Sequence, residues 1–425
     1  MVQFHSKRNS NLRNNGAIYE VVMVAGSGSG PSVYVNEGNL SGQIDAFGRV
    51  RQSTPYTIFD SHNLLNENNK YDETTAGSGS SSHSSDASSV SMTVTDASGD
   101  EVVRQSYRHF SYQPGKSLLV MNTFTMAAAK ENLRQRVGYF NTQNGIFFEQ
   151  DGDTLYMVLR TYTGGSVSET RVPRSQWNID KLDGKGFSTV KLNIEQAQIM
   201  WMDIEWLGVG SVRTGFVVNG QFVIAHIFHH ANRATGVYMT TPNLPSRYEI
   251  TNTGATSGSS TLEQICSTVI SEGGYEARAI KNMVGTAALT GVTVGTAYAN
   301  LATIRLKQPG AIVVPSGADI LNIANTDFEW ALFKNATPAT AFSWTTATNN
   351  VEYSLETKTF SATGTRVAGG YMGGKTAPVV LGDGGFDWDY QLGQTIAGTS
   401  DTLTLAIRAS SSSKNAAGIM KWFEL

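Results

Sequence analysis

Short runs in which apolar and polar residues alternate dominate most of the chain. In SVSMTV, Val90, Met92 and Val94 fall on one face of a predicted strand, and the serine and threonine residues between them fall on the other. The dipeptides Asp151-Gly152 and Asn219-Gly220 each separate two such runs and are typical of tight β-hairpin turns. The pattern therefore predicts successive antiparallel hairpins rather than strands that alternate with helices.

The spacing of these runs divides the chain into four parts. Residues 1–60 predict an N-terminal arm and an extended segment; the arm proper, 1–15, is polar and is expected to order against a neighbour. Residues 90–250 predict a β-sandwich of jelly-roll type, 251–299 a connector, and 300–425 a C-terminal β-sandwich. The predicted fold class is all-β: two antiparallel β-sandwich or jelly-roll domains with an extended N-terminal arm.

Two further segments need their own interpretation. AGSGSSSHSSDASS at 76–89 has low complexity and predicts a flexible loop. TLEQICSTVISEGG at 261–274 carries Leu262, Ile265, Val269 and Ile270 at helix-compatible spacing. It predicts either one short helix or a strand that begins at Cys266.

Composition excludes several classes of protein. Charged residues make up 16% of the chain, against about 25% in a typical soluble domain, which suits β-rich surfaces. The 32 basic and 35 acidic residues give a net charge of -3, too near neutral to predict a nucleic-acid partner. The single Cys266 excludes an intrachain disulfide framework. No stretch approaches the roughly 18 apolar residues of a membrane span, and no signal peptide is recognisable, so we expect neither membrane insertion nor Sec export.

Two groups of residues could carry chemistry. In AHIFHHAN, His226 and His230 would share a strand face opposite His229, and with Asp203 or Glu205 they could bind a metal ion. Asp203 and Glu205 would also share a strand face, which is a geometry suited to the paired carboxylates of a glycosidase. Because no H-E-x-x-H motif or cysteine pair accompanies them, we interpret the histidines as polar residues near a strand end and the carboxylates as a solvated face. The sequence thus predicts no catalytic residue, no metal site and no cofactor.

Two other patterns bear on function. The letters GGYMGGKT at 369–376 satisfy G-x-x-x-x-G-K-[ST], but the residues that follow predict strand and turn rather than the helix of a phosphate-binding loop. We therefore interpret this match as chance. Exposed tryptophans could stack on sugar rings or anchor an interface, although most are expected in the core. The chain contains Trp177, Trp201, Trp206, Trp330, Trp344, Trp388 and Trp422.

Six longer segments between about residues 45 and 250 carry a resemblance to known proteins. They are DAFGRVRQSTPYTIFDS (45–61), VVRQSYRHFSYQPGKS (102–117), GYFNTQNGIFFEQDGDTL (138–155), WNIDKLDG (177–184), IEWLGVGSVRTGFVVNGQ (204–221) and YMTTPNLPSRYEI (238–250). These segments resemble a family of uncharacterised virion structural proteins of marine and freshwater tailed phages. Members of that family have no assigned catalytic residues, so none is carried over. The run GVGSVRTGFVVNGQ is also similar to the inner hairpin of lectin-like jelly rolls, which implies that the first sandwich is lectin-like.

The resemblance, the low charge and the lack of catalytic motifs predict a non-enzymatic structural protein on the exterior of a tailed-phage virion. It would be a capsid-surface decoration or spike protein, or a tail or baseplate component, assembled in the host cytoplasm. The implied partners are other virion proteins and further copies of the chain, with a trimer as the form most common in β-rich spikes. No direct nucleic-acid role is expected. The alternative is a receptor-binding tail fibre or spike module that recognises host surface glycans, and a third hypothesis is a depolymerase that uses Asp203 and Glu205.

Overall fold

Strand pairing fills most of the described chain. The computed structural model describes residues 22–25, 31–34, 54–276, 279–286, 290–373, 379–381, 390–411 and 413–425. The chain divides into two units, Met1–Thr54 and Pro55–Leu425. In the first unit, β1 (Val22–Ala25) and β2 (Pro31–Tyr34) pair antiparallel. The predicted polar arm at 1–15 lies outside the described residues.

Two antiparallel sheets in the second unit form a first sandwich. Its strands are β3 (Tyr56–His62), β4 (Tyr71–Ala76), β5 (Ser80–Ser84), β6 (Ser89–Val94), β7 (Glu101–Ser106), β8 (Leu118–Thr125), β9 (Leu133–Phe140), β10 (Gly145–Asp151), β11 (Thr154–Thr161), β12 (Ser168–Pro173), β13 (Gln198–Ile204), β14 (Val212–Val218), β15 (Gln221–Phe228), β16 (Ser246–Asn252) and β17 (Ser260–Ser271). The seven-stranded sheet has the order β12-β11-β10-β9-β16-β7-β4. The eight-stranded sheet has the order β15-β14-β13-β8-β17-β6-β5, with β3 also paired to β17.

The apolar faces of these two sheets enclose one hydrophobic core. Phe148 of β10 meets Phe216 of β14 edge to face, with ring centroids 5.2 Å apart. Val90, Met92 and Val94 are fully buried, which confirms the alternation predicted for β6. Both predicted hairpins form, because β10 pairs with β11 across Gly152-Asp153 and β14 pairs with β15 across Asn219-Gly220.

Two elements of the first sandwich differ from the sequence prediction. The segment predicted as a flexible loop at 76–89 contains β5, because ladder hydrogen bonds to β6 need no apolar side chains. β17 is neither a short helix nor a strand that begins at Cys266, since it already starts at Ser260. A β-bulge between Gln264 and Cys266 shifts its side-chain alternation and produces the helix-like apolar spacing. Part of the predicted connector, 251–299, therefore supplies a central strand of the first sandwich.

The remaining strands form a second sandwich. They are β18 (Ile280–Gly285), β19 (Val292–Val294), β20 (Ala299–Leu306), β21 (Val313–Asn322), β22 (Phe328–Lys334), β23 (Thr337–Pro338), β24 (Thr345–Thr346), β25 (Val351–Ser354), β26 (Phe360–Ala362), β27 (Thr365–Met372), β28 (Val379–Leu381), β29 (Thr402–Ala409) and β30 (Lys414–Glu424). One sheet runs β18-β30-β21-β28 with β19 beside β30, a second runs β24-β25-β20-β29-β22-β27, and β23 pairs with β26. Trp330 and Trp422 are buried in the core between the two larger sheets.

This strand content confirms the predicted all-β class with two antiparallel sandwiches. The described residues contain no α-helix, and a 3₁₀ turn lies at Arg174–Gln176. Accordingly, no helix in the described part of the chain is long and apolar enough to cross a membrane.

The two sandwiches are joined by hydrogen bonds from a segment that precedes β29. The side-chain amide of Gln391 donates to the carbonyl of His109 at 2.7 Å, and the backbone N–H of Gln394 donates to the carbonyl of Tyr107 at 2.9 Å. The N–H of Ile396 donates to the Asp72 carboxylate at 2.7 Å. Two of these bonds end on backbone carbonyls of residues that follow β7. They therefore fix the position of the second sandwich relative to that end of the first.

Candidate functional site

A polar groove lies at the end of the eight-stranded sheet, where β13 ends and β8 and β14 begin. We call this the terminal groove; its volume is about 290 Å³. Both carboxylates singled out in the sequence line it, together with two basic side chains. The lining residues are Tyr112, Gly115, Lys116, Ser117, Asp203, Glu205, Leu207, Ser211 and Arg213.

The loop between β13 and β14 forms one wall of the terminal groove. The N–H of Glu205 donates to the carbonyl of Ser211 at 3.1 Å and so continues the strand pairing for one step. Leu207 then adopts a positive φ of 37° and leaves its side chain 53% exposed. The Tyr112 hydroxyl accepts hydrogen bonds from the N–H groups of Trp206 and Leu207 at 3.1 and 3.3 Å. Non-glycine residues at positive φ cluster at functional sites, where the surrounding structure holds them in place.

Asp203 is the most constrained polar group of the terminal groove. Its side chain is only 6% exposed, and its Oδ2 atom accepts a hydrogen bond from the Arg213 guanidinium. Its Oδ1 atom is buried and has no hydrogen-bond partner among the described residues. An unpaired carboxylate oxygen in a buried position is costly, so this atom is suited to accept a hydrogen bond from a bound ligand.

Donors and acceptors surround this carboxylate. Glu205 is exposed and accepts from the N–H of Ser211 at 3.4 Å. Ser117 donates to Glu272 at 3.2 Å at the base of β8. With Lys116 and Arg213 the groove holds two carboxylates and two cations, beside the apolar side chain of Leu207. Such a mixture of polar groups with an apolar contact suits a polyhydroxylated ligand, which presents both hydroxyls and C–H faces.

The three histidines do not join the carboxylates as a ligand set, although two lie against the same loop. His230 stacks on Tyr238 with ring centroids 4.0 Å apart, and its Nδ1 lies 2.7 Å from the carbonyl oxygen of Gly210. His229 Nδ1 lies 3.4 Å from the Ser211 hydroxyl. Because β15 ends at Phe228, His226 and His230 do not share a strand face as predicted. Within the described ranges, no group of three or more His, Cys, Asp or Glu residues is arranged to hold a metal ion.

His226 occupies a different environment, on β15. Its Nδ1 accepts a hydrogen bond from the N–H of Asn178 at 3.3 Å, and its ring meets Phe228 at 4.6 Å. Burial, with a smaller contribution from His229, lowers the pKa of His226 to about 4. His226 is therefore a neutral structural residue at neutral pH.

The other sequence candidates fall mainly in strands or cores. Trp177, Trp201, Trp330 and Trp422 are buried, Trp206 and Trp344 are half-buried, and Trp388 lies outside the described residues. The first four residues of GGYMGGKT, 369–372, belong to β27, whereas 374–378 are not described. A strand at this position agrees with the interpretation of the phosphate-loop letters as chance.

A charged network on the outer face of the seven-stranded sheet was missed by the sequence analysis. Glu149 is fully buried there, 2.5 Å from Arg136 and 2.5 Å from Arg171. Arg136 also lies 3.5 Å from Glu249. Burial alone would raise the pKa of Glu249, but Arg247 and Arg136 outweigh it and lower that pKa. The available signal was the recurrence of charged residues at alternate positions of β9, β10 and β16, which predicts one charged face across neighbouring strands.

Comparison with known proteins identifies no family for this chain. No protein-family model and no curated protein sequence matches it. Among solved structures, the Emp47p carbohydrate recognition domain is 10% identical with a TM-score of 0.32, covering 51% of this chain and 96% of that one. The CBM2 module of the evolved Dit of Lactobacillus casei BL23 phage J-1 is 9% identical with a TM-score of 0.34, covering 53% and 100%. Lectin UEA-II complexed with galactose is 10% identical with a TM-score of 0.31, covering 52% and 100%. TM-scores of this size do not establish a shared fold, so the sandwich architecture rests on the strand pairing itself.

Proposed function

We propose that this chain is a non-enzymatic structural protein of the exterior of a tailed-phage virion, and that its terminal groove binds a host surface glycan. The observation that carries the glycan part is the Asp203 carboxylate, which is buried, held on one side by Arg213 and, among the described residues, without a hydrogen-bond partner on the other side. A rigidly held acceptor of this kind discriminates strongly for a ligand that supplies a hydroxyl. Both carboxylates already accept hydrogen bonds from the chain itself, which favours recognition over catalysis.

The virion role is supported by the six segments that resemble phage structural proteins and by the two-sandwich architecture. Because hydrogen bonds join the two sandwiches, they form a rigid subunit whose copies can pack side by side in a regular assembly. We propose a homo-oligomer, with a trimer as its form, in contact with other virion proteins of the capsid or tail. Such subunit interfaces often bury about 2,000 Å² or more.

Antibody labelling of intact particles tests the virion role. Particles imaged by negative stain with an antibody against this chain should carry label at regular positions on the head shell or on the tail. A particle preparation that lacks both the label and the chain would contradict a structural role. Label confined to the tail tip would favour receptor binding, whereas label over the head would favour capsid decoration.

Replacement of Asp203 by asparagine tests the glycan site. On an array of host-envelope glycans the wild-type chain should bind a defined subset, and Asp203→Asn should weaken that binding at least about tenfold, because a charge-assisted hydrogen bond is lost. Leu207→Gly should also weaken binding while it relieves the positive φ, so a folding defect cannot explain its effect. Affinity would be measured by titration calorimetry with the best glycan.

The matched control is Glu352→Gln, which removes a carboxylate paired with Arg305 at 2.8 Å on the second sandwich. This variant should leave glycan affinity unchanged. No binding by the wild type, or equal binding by wild type and both groove variants, would contradict the assignment of the groove. Release of reducing sugar from the bound glycan by the wild type would contradict the non-enzymatic part.

A further inference from the structure

A second polar pocket lies on the second sandwich, where β22, β27 and β29 run side by side. We call this the β27 pocket; its volume is about 480 Å³. Its lining includes Asp327, Glu329, Tyr371, Arg408 and Ser410. These residues belong to the second sandwich, whereas the terminal groove is lined by residues of the first, so the two sites are separate.

Strand register places three of the lining residues in one row. Glu329 of β22 is paired with Tyr371 of β27 on one side and with Arg408 of β29 on the other. Directly opposed residues of neighbouring strands lie on the same face of a sheet. Phe328 and Trp330, which flank Glu329 in sequence, are buried in the core of the sandwich, so the row lies on the opposite, outer face.

Tyr371 presents an open aromatic ring at this pocket. It is 82% exposed, although it lies within a strand and next to the buried Met372. Among the described strands, β27 forms the edge of its sheet. The face of an aromatic ring is electron-rich and attracts the partially positive C–H hydrogens of a sugar ring. The exposed ring of Tyr371 is therefore suited to stack on one pyranose ring.

Glu329 holds a hydrogen-bond donor in place beside this ring. Its Oε1 atom accepts from Arg366 at 2.8 Å, and its Oε2 atom accepts from Arg408 at 2.7 Å. The Arg408 guanidinium also lies 4.8 Å from the Tyr298 ring centroid, which restrains it further. Arg408 uses Nε and Nη2 for Glu329, and a guanidinium carries N–H groups beyond these. Since its side chain is 47% exposed, Arg408 can donate to a ligand.

Asp327 supplies a hydrogen-bond acceptor in the same pocket. Its side chain is exposed, and no hydrogen bond or ion pair in the described part of the chain engages its carboxylate. Its backbone is fixed, because its carbonyl accepts from the N–H of Ser410 at 2.9 Å. The Asn322 amide donates to the carbonyls of Thr326 and Gly373 at 2.7 and 3.1 Å and so ties the start of β22 to the end of β27. The acceptor and the stacking ring are thus held by the same framework, which reduces the entropy lost on binding.

We propose that the β27 pocket binds a neutral saccharide. One pyranose ring stacks on the face of Tyr371, some of its hydroxyls donate to the Asp327 carboxylate, and others accept from Arg408. Hydrogen bonds to charged groups are stronger than those between neutral groups. The aromatic ring selects for a C–H face, and the fixed acceptor and donor select for hydroxyls around it. This site does not depend on the terminal groove.

Two features favour a neutral sugar over an ion or a protein partner. The two carboxylates and the two guanidinium groups of this region balance, so charge alone does not select an ion. A standard protein interface buries about 800 Å² on each partner and centres on several large anchors. In the β27 pocket, Phe328 and Met372 are each only 2% exposed, which leaves Tyr371 as a single platform that matches one sugar ring.

Titration calorimetry of the full chain tests this site. The terminal groove is first weakened by Asp203→Asn, and that variant is the reference in every comparison. The probes are neutral galactotriose, mannotriose and chitotriose, and acidic trigalacturonate. At least one neutral probe should bind, with an affinity that changes less than about twofold between about 50 and about 500 mM sodium chloride, because the ligand carries no charge to be screened. No binding by any neutral probe, or tighter binding of trigalacturonate than of every neutral probe, would overturn the proposal.

Tyr371→Ala locates the binding. Added to Asp203→Asn, it should lower the affinity for the bound neutral probe at least about tenfold, because the stacking contact is lost. Tyr371→Phe keeps the face of the ring and should recover most of that loss. Because Tyr371 is 82% exposed, neither change disturbs the core. Equal affinity with and without Tyr371→Ala would overturn the location.

Asp327→Ala and a matched control complete the test. Asp327→Ala should lower the affinity about tenfold through the lost acceptor. The control Phe187→Ala removes an aromatic ring that is 74% exposed between β12 and β13 of the first sandwich, and it should leave the affinity unchanged. An equal loss in Phe187→Ala would mean that the probes bind exposed rings without selection, and it would overturn the site. Since every comparison is made with Asp203→Asn present, failure here would leave the assignment of the terminal groove standing.

Discussion

Replacement of Glu149 by alanine should lower the free energy of unfolding by about 3–5 kcal/mol. The Glu149 side chain is fully buried and contacts the guanidinium groups of Arg136 and Arg171 at 2.5 Å each. Its removal leaves those charges with fewer acidic partners in a site that water barely reaches, because Arg136 is itself only 10% exposed. Urea unfolding of wild type and variant at neutral pH would measure the difference.

This loss of unfolding free energy arises because the remaining charges stay buried with fewer partners. It does not mean that the ion pair itself makes a large net contribution to stability. The Arg136 guanidinium lies 5.3 Å from the Phe147 ring centroid and cannot turn toward water without leaving that ring. Replacing Arg136 and Glu149 together, with methionine and leucine, should therefore recover much of the loss. Asp60→Ala is the control for an exposed pair, since Asp60 contacts Lys70 at 3.3 Å with its side chain 65% exposed. That change should cost less than about 1 kcal/mol; a similarly small effect at Glu149 would mean that the network is solvated surface.

The architecture could be predicted from the sequence wherever side-chain alternation and turn chemistry agree. Val90, Met92 and Val94 show a strict period of two, and Asn219-Gly220 supplies the positive φ values of 51° and 77° that a tight hairpin needs. β5 was not predicted because its serine-rich segment has no alternation of apolar and polar residues. It forms through backbone hydrogen bonds to β6. β17 was ambiguous because its bulge shifts the side-chain register in mid-strand. In both cases the structure is determined by pairing with another strand and not by the local pattern of apolar residues. For β5 that strand is adjacent in sequence, and for β17 the partners are distant.

Only some residues of the candidate sites could be predicted from the sequence. Asp203 and Glu205 are two residues apart, so their proximity follows from local geometry. Tyr112, however, reaches the same groove from a position 94 residues before Trp206, to which it is hydrogen-bonded. The junction between the two sandwiches depends on the hydrogen bond from Gln391 to His109, two residues that are 282 positions apart in sequence. No periodicity encodes such contacts, so the groups that complete each site became visible only in the folded chain.

Lowering the pH from 7 to 5 should cost about 2 kcal/mol of unfolding free energy through His109 alone. Burial lowers the pKa of His109 from 6.5 to about 4. Below pH 6.5 the unfolded chain therefore takes up a proton that the folded chain does not, and stability is lost progressively as the pH falls toward 4. The lowered pKa of His226 acts in the same direction. The pKa of Glu329 is lowered from 4.5 to about 2 by the Tyr298 hydroxyl and by Arg408 and Arg366, so its contribution is lost only at pH values below this window.

The variant His109→Gln isolates this effect, because glutamine is similar in size and does not titrate. Urea unfolding at pH 7 and pH 5 should show a difference between the two conditions that is about 2 kcal/mol smaller in His109→Gln than in the wild type. An unchanged difference would place the acid sensitivity elsewhere. His109 lies at the junction of the sandwiches, where its carbonyl accepts the Gln391 hydrogen bond and its ring faces Gly310. A proton on that ring would place a charge in the buried contact, so acid should weaken the junction between the sandwiches before it unfolds either sandwich core.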